Sequence, residues 1–261
     1  MDDLEILVEA KADEQDYKPY LNVEHLKGIK ETSQVFLKEN NFDISKEPDF
    51  SEMTEEQFIK YIENNSNENL VEKFKDLFEE NFRSNMSNIY KHNKTGNNIL
   101  IFFLPTSETR ANVGVDTVKN FCKLIVLTGC NEGVLISEKH LTSRSREELE
   151  SSNVKNHCSE NVYNVISYVD EMFINIVGHC LSPKVLKIYS GKEVVAFEEE
   201  NKVDSKFFPR MFINDPIAKF YRSRVGDVIM LQRKTGTSNT LIREQISYRK
   251  VVYAISKEVR K

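Results

Sequence analysis

The chain has 261 residues, is 39% hydrophobic and 30% charged, and carries a formal net charge of −5. That length suits one large or two small domains and buries enough surface to fold without disulfides or metal. No apolar run approaches the roughly 18–20 residues that span a bilayer, and the acidic opening Asp2, Asp3, Glu5 is unlike a signal peptide. Four cysteines stand at 122, 130, 158 and 180 with no CxxC pair, which predicts reduced thiols. Asn-x-Ser/Thr triplets at Asn64, Asn85 and Asn93 read as chance matches in an Asn-rich chain.

Residues 1–21 form an acidic leader. Asn22 is a candidate N-cap, followed by Leu26, Ile29, Ser33, Phe36 and Leu37 at helical spacing. Thr54 and Gln57 have capping-box spacing and open a helix with Phe58, Ile59 and Ile62. Asn67 caps a third helix with Leu70, Phe74, Leu77 and Phe78 on one face, spaced as core residues. The texture then changes. Ile99–Leu104 reads as a buried strand, and Pro105–Arg110 as a polar loop. Val115–Lys123 reads as a helix running into a strand-like Leu124–Leu127, and Gly133–Ser137 as a further strand. Ser145 and Glu148 have capping-box spacing. Val162–Val169 and Met172–Val177 read as adjacent strands. Strands alternating with helices predict a mixed sheet flanked by helices.

A boundary falls near residue 176. Beyond it, Ser182-Pro183 marks a turn, and Lys192–Glu200 a helix. Asp215-Pro216 starts a short helix with Ile217, Ala218, Phe220 and Tyr221, proline being favoured at the first helical position. Gly226-Asp227 is a turn, Val228–Leu231 a strand, and Ile246–Ile255 a closing strand. From Lys206 to Lys261 there are thirteen Lys and Arg against four acids, a basic end that suits an anionic partner surface or nucleic acid. The fold class is α+β: a helical and mixed-sheet N-terminal domain at 22–175 and a small α/β C-terminal domain at 176–261.

Catalytic signatures are missing. There is no Walker A sequence and no GxGxxG. His157-Cys158 and His179-Cys180 lack the short ligand spacing of a zinc site. Lys234-Thr235-Gly236-Thr237 has no accompanying SxxK nucleophile in context. Asp116 and Glu138-Lys139 are too loosely spaced for a metal-dependent nuclease. No metal or cofactor is implied.

The last third carries a resemblance. His179-Cys180-Leu181-Ser182-Pro183-Lys184 is similar to His-x-Leu-x-Pro-Lys, and Pro209-Arg210, four residues, Asp215-Pro216 keeps a second motif. Ala218, Gly226-Asp227-Val228-Ile229, Arg233 and Tyr248-Arg249 follow in order. Over about seventy residues this set resembles the fifth-largest subunit shared by the eukaryotic nuclear DNA-directed RNA polymerases I, II and III, a family with archaeal members. Val113-Gly114-Val115 with Thr117, Lys119 and Phe121, and the Leu26 helix with Asn41-Phe42 behind it, resemble that family's jaw domain more weakly. Departures are Arg222 where the family has glycine, Thr235-Gly236-Thr237 where it has Ser-Glu-Thr, and roughly four extra residues before Tyr248. Such divergence suits an AT-rich protist or a large DNA virus.

The resemblance implies a non-catalytic subunit. Its C-terminal domain docks on the largest polymerase subunit, and its jaw faces downstream double-stranded DNA, weakly and without reading sequence. Pro183, Lys184, Arg210, Arg224, Arg233 and Arg249 are the partner-binding candidates, with Arg243 beside them, because a guanidinium offers a planar fork to carboxylates. Arg110 is the DNA-facing candidate. His179, Pro209, Asp215, Pro216, Gly226, Asp227 and Tyr248 are assigned fold roles. A free DNA-binding transcription regulator is the alternative. The setting is nuclear for a cellular source, and a virion or cytoplasmic viral factory for a viral one. No membrane is involved.

Overall fold

The computed structural model describes residues 22–105, 112–154, 164–170, 173–235 and 243–253. Eight α-helices and two four-stranded sheets are seen among them.

The first sheet has the order β1-β2-β3-β4, formed by Asn88–Lys91, Asn98–Phe103, Glu132–Ser137 and Asn164–Val169. β1 runs antiparallel to β2, and β2, β3 and β4 are mutually parallel. Alternation along the strands divides the core in two, because successive side chains point to opposite faces. Ile99, Ile101 and Phe103 of β2, with Val134, Ile136 and Tyr168, pack under Leu26, Ile29, Phe36 and Leu37 of helix α1 (Val23–Glu39) and Phe58 and Ile62 of α2 (Glu55–Asn64). Leu100, Phe102, Leu135 and Val165 face the other way. They meet Leu70 and Phe74 of α3 (Glu68–Phe74), Val118, Phe121, Leu124 and Ile125 of α5 (Val115–Thr128), and Leu149 of α6 (Ser143–Val154). A short α4 (Phe82–Asn85) leads into β1. Both faces are thus covered, as parallel strands require.

The caps at Asn22, Thr54 and Asn67 form: each side chain accepts from the backbone N–H of residue 25, 57 or 70, and Gln57 completes the box. Three readings are corrected. Leu124–Leu127 continues α5; Val118, Phe121, Leu124 and Ile125 repeat at helical spacing, and Gly129 at φ 69° ends the helix. Residues 173–177 are not a strand; Phe173 turns back, its N–H bonding to Val169 O and Asp170 O. The N-terminal hydrogen bond of α6 comes from Thr142, whose Oγ1 accepts from Ser145 N at 3.2 Å, so Ser145 lies inside the helix. Gly133 lets α5 pack close on β3: a Cβ there would lie 2.4 Å from Ile125 Cδ1, so that side chain would have to shift.

Two charged pairs are buried in this unit. Lys30 Nζ, on α1, donates to Glu47 Oε1 at 2.8 Å, Met86 O at 3.0 Å and Tyr90 OH at 3.0 Å, using all three of its protons. Burial pushes the Glu47 carboxyl up, but the Lys30 ammonium and the bonds from Lys30, Tyr90 and Gln34 outweigh it and hold the group below its ordinary range. Arg83 grips Asp170 with both Nη atoms and donates Nε to Leu104 O at 2.8 Å, tying α4 to the ends of β2 and β4.

The second sheet has the order β5-β7-β8-β6, from Lys184–Tyr189, Val228–Thr235, Arg243–Val252 and Arg210–Phe212. β5 and β8 are antiparallel to β7, and β6 is parallel to β8. β5 and β6 have no strand-like run that the sequence reading picked out. Their burial is partial, so apolar alternation is faint. Helix α7 (Lys192–Asn201) lays Phe197 against Tyr189 and Tyr248, and Phe208 stacks on Tyr248 with centroids 5.5 Å apart. The opposite face holds a small core of Met211, Ala218, Ile229, Leu231 and Val251.

Candidate partner-docking site

The motif residues of the last third build three turns. His179 closes the first: its O accepts from Ser182 N, its exposed ring Nδ1 accepts from Leu181 N at 3.2 Å, and Pro183 then delivers Lys184 to the start of β5. In the second, Pro209 O accepts from Lys250 N at 3.0 Å, which seats β6 beside β8. Asp215 Oδ1 then accepts from Ile217 N at 2.9 Å, and Pro216 starts helix α8 (Pro216–Phe220). The third turn has Gly226 at φ 98°, a conformation that L side chains rarely adopt. Beside it the buried Asp227 accepts from Arg224 N at 2.7 Å through Oδ2. The paired bonds Gly226 N to Val251 O and Val251 N to Asp227 O fix this turn to β8.

The six partner-binding candidates do not converge on one patch. Arg233 and Arg249 share the sheet face of Ile229 and Leu231, since Ile229 pairs with Arg249 and Arg233 with Gln245. Lys184, paired with Gln232, and Arg210, paired with Lys250, are on the other face. Arg224 is exposed in the Gly226 turn, and Pro183 is half-buried before β5. Neither Arg233 nor Arg249 has an acidic partner among the described residues. Arg110 and the His157-Cys158 pair lie outside the described residues. Among those described, no three His, Cys, Asp or Glu side chains are grouped to hold a metal ion, and no helix is long and apolar enough to cross a membrane.

A cluster that sequence reasoning missed follows α8. Phe220 leaves the second unit's core and enters the first, edge-on to Phe36 at 5.4 Å. Asn40 Nδ2 donates to both Phe36 O at 2.8 Å and Phe220 O at 2.9 Å. Tyr221 OH donates to Glu39 Oε2 at 3.2 Å. Lys219 Nζ donates to Ser167 O on the edge strand β4 and sits 4.2 Å from the Tyr168 ring centroid. Burial, with Arg146 nearby, brings this amine down to about 8. Arg222 pairs with Glu132 of β3 and lies over the Phe42 ring. It holds φ 54°, which costs a non-glycine residue about 1 kcal/mol. Arg222 stands where the resembling family has glycine; that departure was the one signal in the sequence that this turn is left-handed.

The second unit thus combines a four-stranded sheet, an Asp-Pro helix, a Gly-Asp turn and exposed arginines without acidic partners among the described residues. Residues 174–251 match the family described as RNA polymerase Rpb5, C-terminal domain. The chain is 23% identical over 144 residues to the DNA-directed RNA polymerases I, II and III subunit rpabc1 of Dictyostelium discoideum, covering 55% of this chain and 68% of that one. It is 22% identical over 171 residues to the RPABC1 subunit of Caenorhabditis elegans, covering 65% and 74%. The Caenorhabditis briggsae subunit matches at 21% over the same length. Over its last third the chain is thus similar to the Rpb5 C-terminal domain, and over a longer stretch to these shared polymerase subunits.

Proposed function

We propose that this chain is a non-catalytic structural subunit of a multisubunit DNA-directed RNA polymerase. Its C-terminal assembly domain, residues 176–261, docks on the largest subunit, and its N-terminal domain, residues 22–175, is part of the lower jaw beside downstream DNA. The carrying observation is the family match over 174–251, combined with Arg233 and Arg249 presented on one sheet face without acidic partners among the described residues. Paired with carboxylates on a partner, such guanidiniums form bidentate charge-assisted bonds. Three short proline-bearing or capped turns keep this surface rigid, which lowers the entropy lost on docking.

Contact with DNA is weak and sequence-independent in this reading. The exposed surface of this helical region carries Glu55, Glu56, Glu63 and Glu72 on helices and Glu79 and Glu80 in the loop after α3, and phosphate affinity comes from neutralising charge. The setting is the nucleus for a cellular source and a viral factory or virion for a viral one. Purifying the tagged full chain from its own source and identifying bound chains by mass spectrometry tests the reading. The two largest polymerase subunits are expected in stoichiometric amount. A lone chain that binds DNA with sub-micromolar, salt-sensitive affinity would favour a free regulator instead.

A further inference from the structure

Strand β8 is longer than the strand that covers it. On one side its whole length, Arg243–Val252, pairs with β7. On the other side, β6 reaches only residues 250–252. Backbone direction alternates along a strand, and Val251 N bonds toward the β7 side while Lys250 N bonds to Pro209 O on the β6 side. The N–H and C=O groups of Glu244, Ile246 and Tyr248 therefore point to an edge that no strand occupies among the described residues. Proteins guard such edges, because unpaired ladders template other chains. The opposite edge of the sheet is guarded: β5 has a bulge between Val185 and Lys187, and exposed lysines at 184 and 187. The β8 edge has no bulge, and exposed Ile246 stands at its centre.

We infer that the open edge of β8, over Glu244–Tyr248, accepts an extended polypeptide segment with alternating acidic and apolar side chains. This inference rests on the reading that the C-terminal domain docks on a larger protein, and names how it does so. On one face of the added strand the neighbours are Ile246 and Tyr248, the latter backed by Phe197 and Phe208, which suit apolar side chains. Glu244 shares that face but is already engaged, accepting from Gln232 Nε2 at 2.6 Å. On the other face stand Gln245, Ser247 and Arg249, with Arg233 one strand further in. Arg249 and Arg233 have no acidic partner among the described residues, and carboxylates on the incoming strand supply one. A second copy of β8 fits poorly: antiparallel pairing centred on Ile246 sets Arg243 opposite Arg249, like charge on like.

The test is amide exchange on the full chain with the acetylated probe peptide Glu-Val-Glu-Val-Glu-Val-Glu, and with the same peptide carrying Lys for Glu. The acidic probe is expected to slow exchange at Glu244, Ile246 and Tyr248 by about tenfold or more. Gln245, Ser247 and Arg249, whose amides already bond to β7, should not change, and the lysine probe should do nothing. Ile246→Pro removes an edge donor without touching the β7 ladder and should abolish the effect. Arg249→Glu should transfer the preference to the lysine probe. Unchanged exchange at the three amides, or equal slowing by both probes, overturns the inference. Co-purification with polymerase is a separate readout. Slowed amides without co-purification keep the edge and reject the subunit reading; co-purification with unslowed amides does the reverse.

Discussion

The first unit covers its sheet with helices on both faces and pairs charges inside; the second covers its sheet in patches and keeps Arg210, Arg224 and Arg233 outside. Lys30 with Glu47 and Arg83 with Asp170 are buried pairs, with all three Lys30 protons placed and each Arg83 nitrogen making a hydrogen bond. In the second unit Arg210, Arg224 and Arg233 are exposed, and its apolar core consists of Met211, Ala218, Ile229, Leu231 and Val251 with a few half-buried neighbours. The difference teaches where each unit's stability comes from. The first closes two large cores around its own sheet, whereas the second has a small core and is tied to the first through Phe220 and Arg222.

The largest effect should come from breaking a sealed pair. Glu47→Ala leaves the Lys30 ammonium buried without its counter-charge and is expected to cost about 3–5 kcal/mol. Denaturant titration would measure it, and a loss under 1 kcal/mol would mean the pair is not sealed. Phe220→Ala removes the aromatic that joins the two cores. A cost of about 3–4 kcal/mol is expected, with faster amide exchange in β5–β8 than in β2–β4. Uniform acceleration would mean the second unit does not depend on this joint.

Lys219 gives a pH signature at the same joint. Its folded value, about 8, is below the unfolded value near 10.4. Between those values the unfolded chain holds a proton that the folded chain has released, so stability rises as pH climbs from about 8 toward 10. The expected gain is about 1–2 kcal/mol. The groups facing the amine are Ser167 O and the Tyr168 ring from β4 and the Arg146 guanidinium from α6. Burial raises Tyr168 and Tyr221 above their ordinary value, so they keep their protons in this window and reverse the slope only above about pH 10. Lys219→Met should flatten the rise; an unchanged profile would assign it elsewhere.

Smaller still is Arg222→Gly. Relief of the left-handed backbone offsets part of the lost Glu132 pair, leaving a net loss of about 1–2 kcal/mol, partly restored by adding Glu132→Gln. Smallest is Arg224→Ala, a surface change expected to leave stability within about 0.5 kcal/mol while weakening docking. Thermal unfolding and co-purification read the two effects separately.

The fold was most legible where local chemistry repeats. Asn22, Thr54 and Asn67 announce helices, and Ile99–Phe103 announces a strand buried on both sides. Leu124–Leu127 misled because apolar β-prone residues near a helix end look like a strand when read alone; Gly129 behind them marks the true stop. β5 and β6 escaped because half-exposed edge strands carry little alternation. In the candidate site, Asp215 and Gly226 declare their backbone roles. The division of Arg233 and Arg249 from Lys184 and Arg210 depends on sheet register, which only long-range pairing sets. The entry of Phe220 into the first core is likewise a tertiary fact.

Cross-linking mass spectrometry on the purified native complex tests the central claim most directly. Lys184, Lys202, Lys206 and Lys250 in the assembly domain should link to the largest polymerase polypeptide, while jaw lysines such as Lys60 and Lys73 link to it seldom. Links from the jaw with none from 176–261, or a complex with no large polymerase chain, would contradict the account.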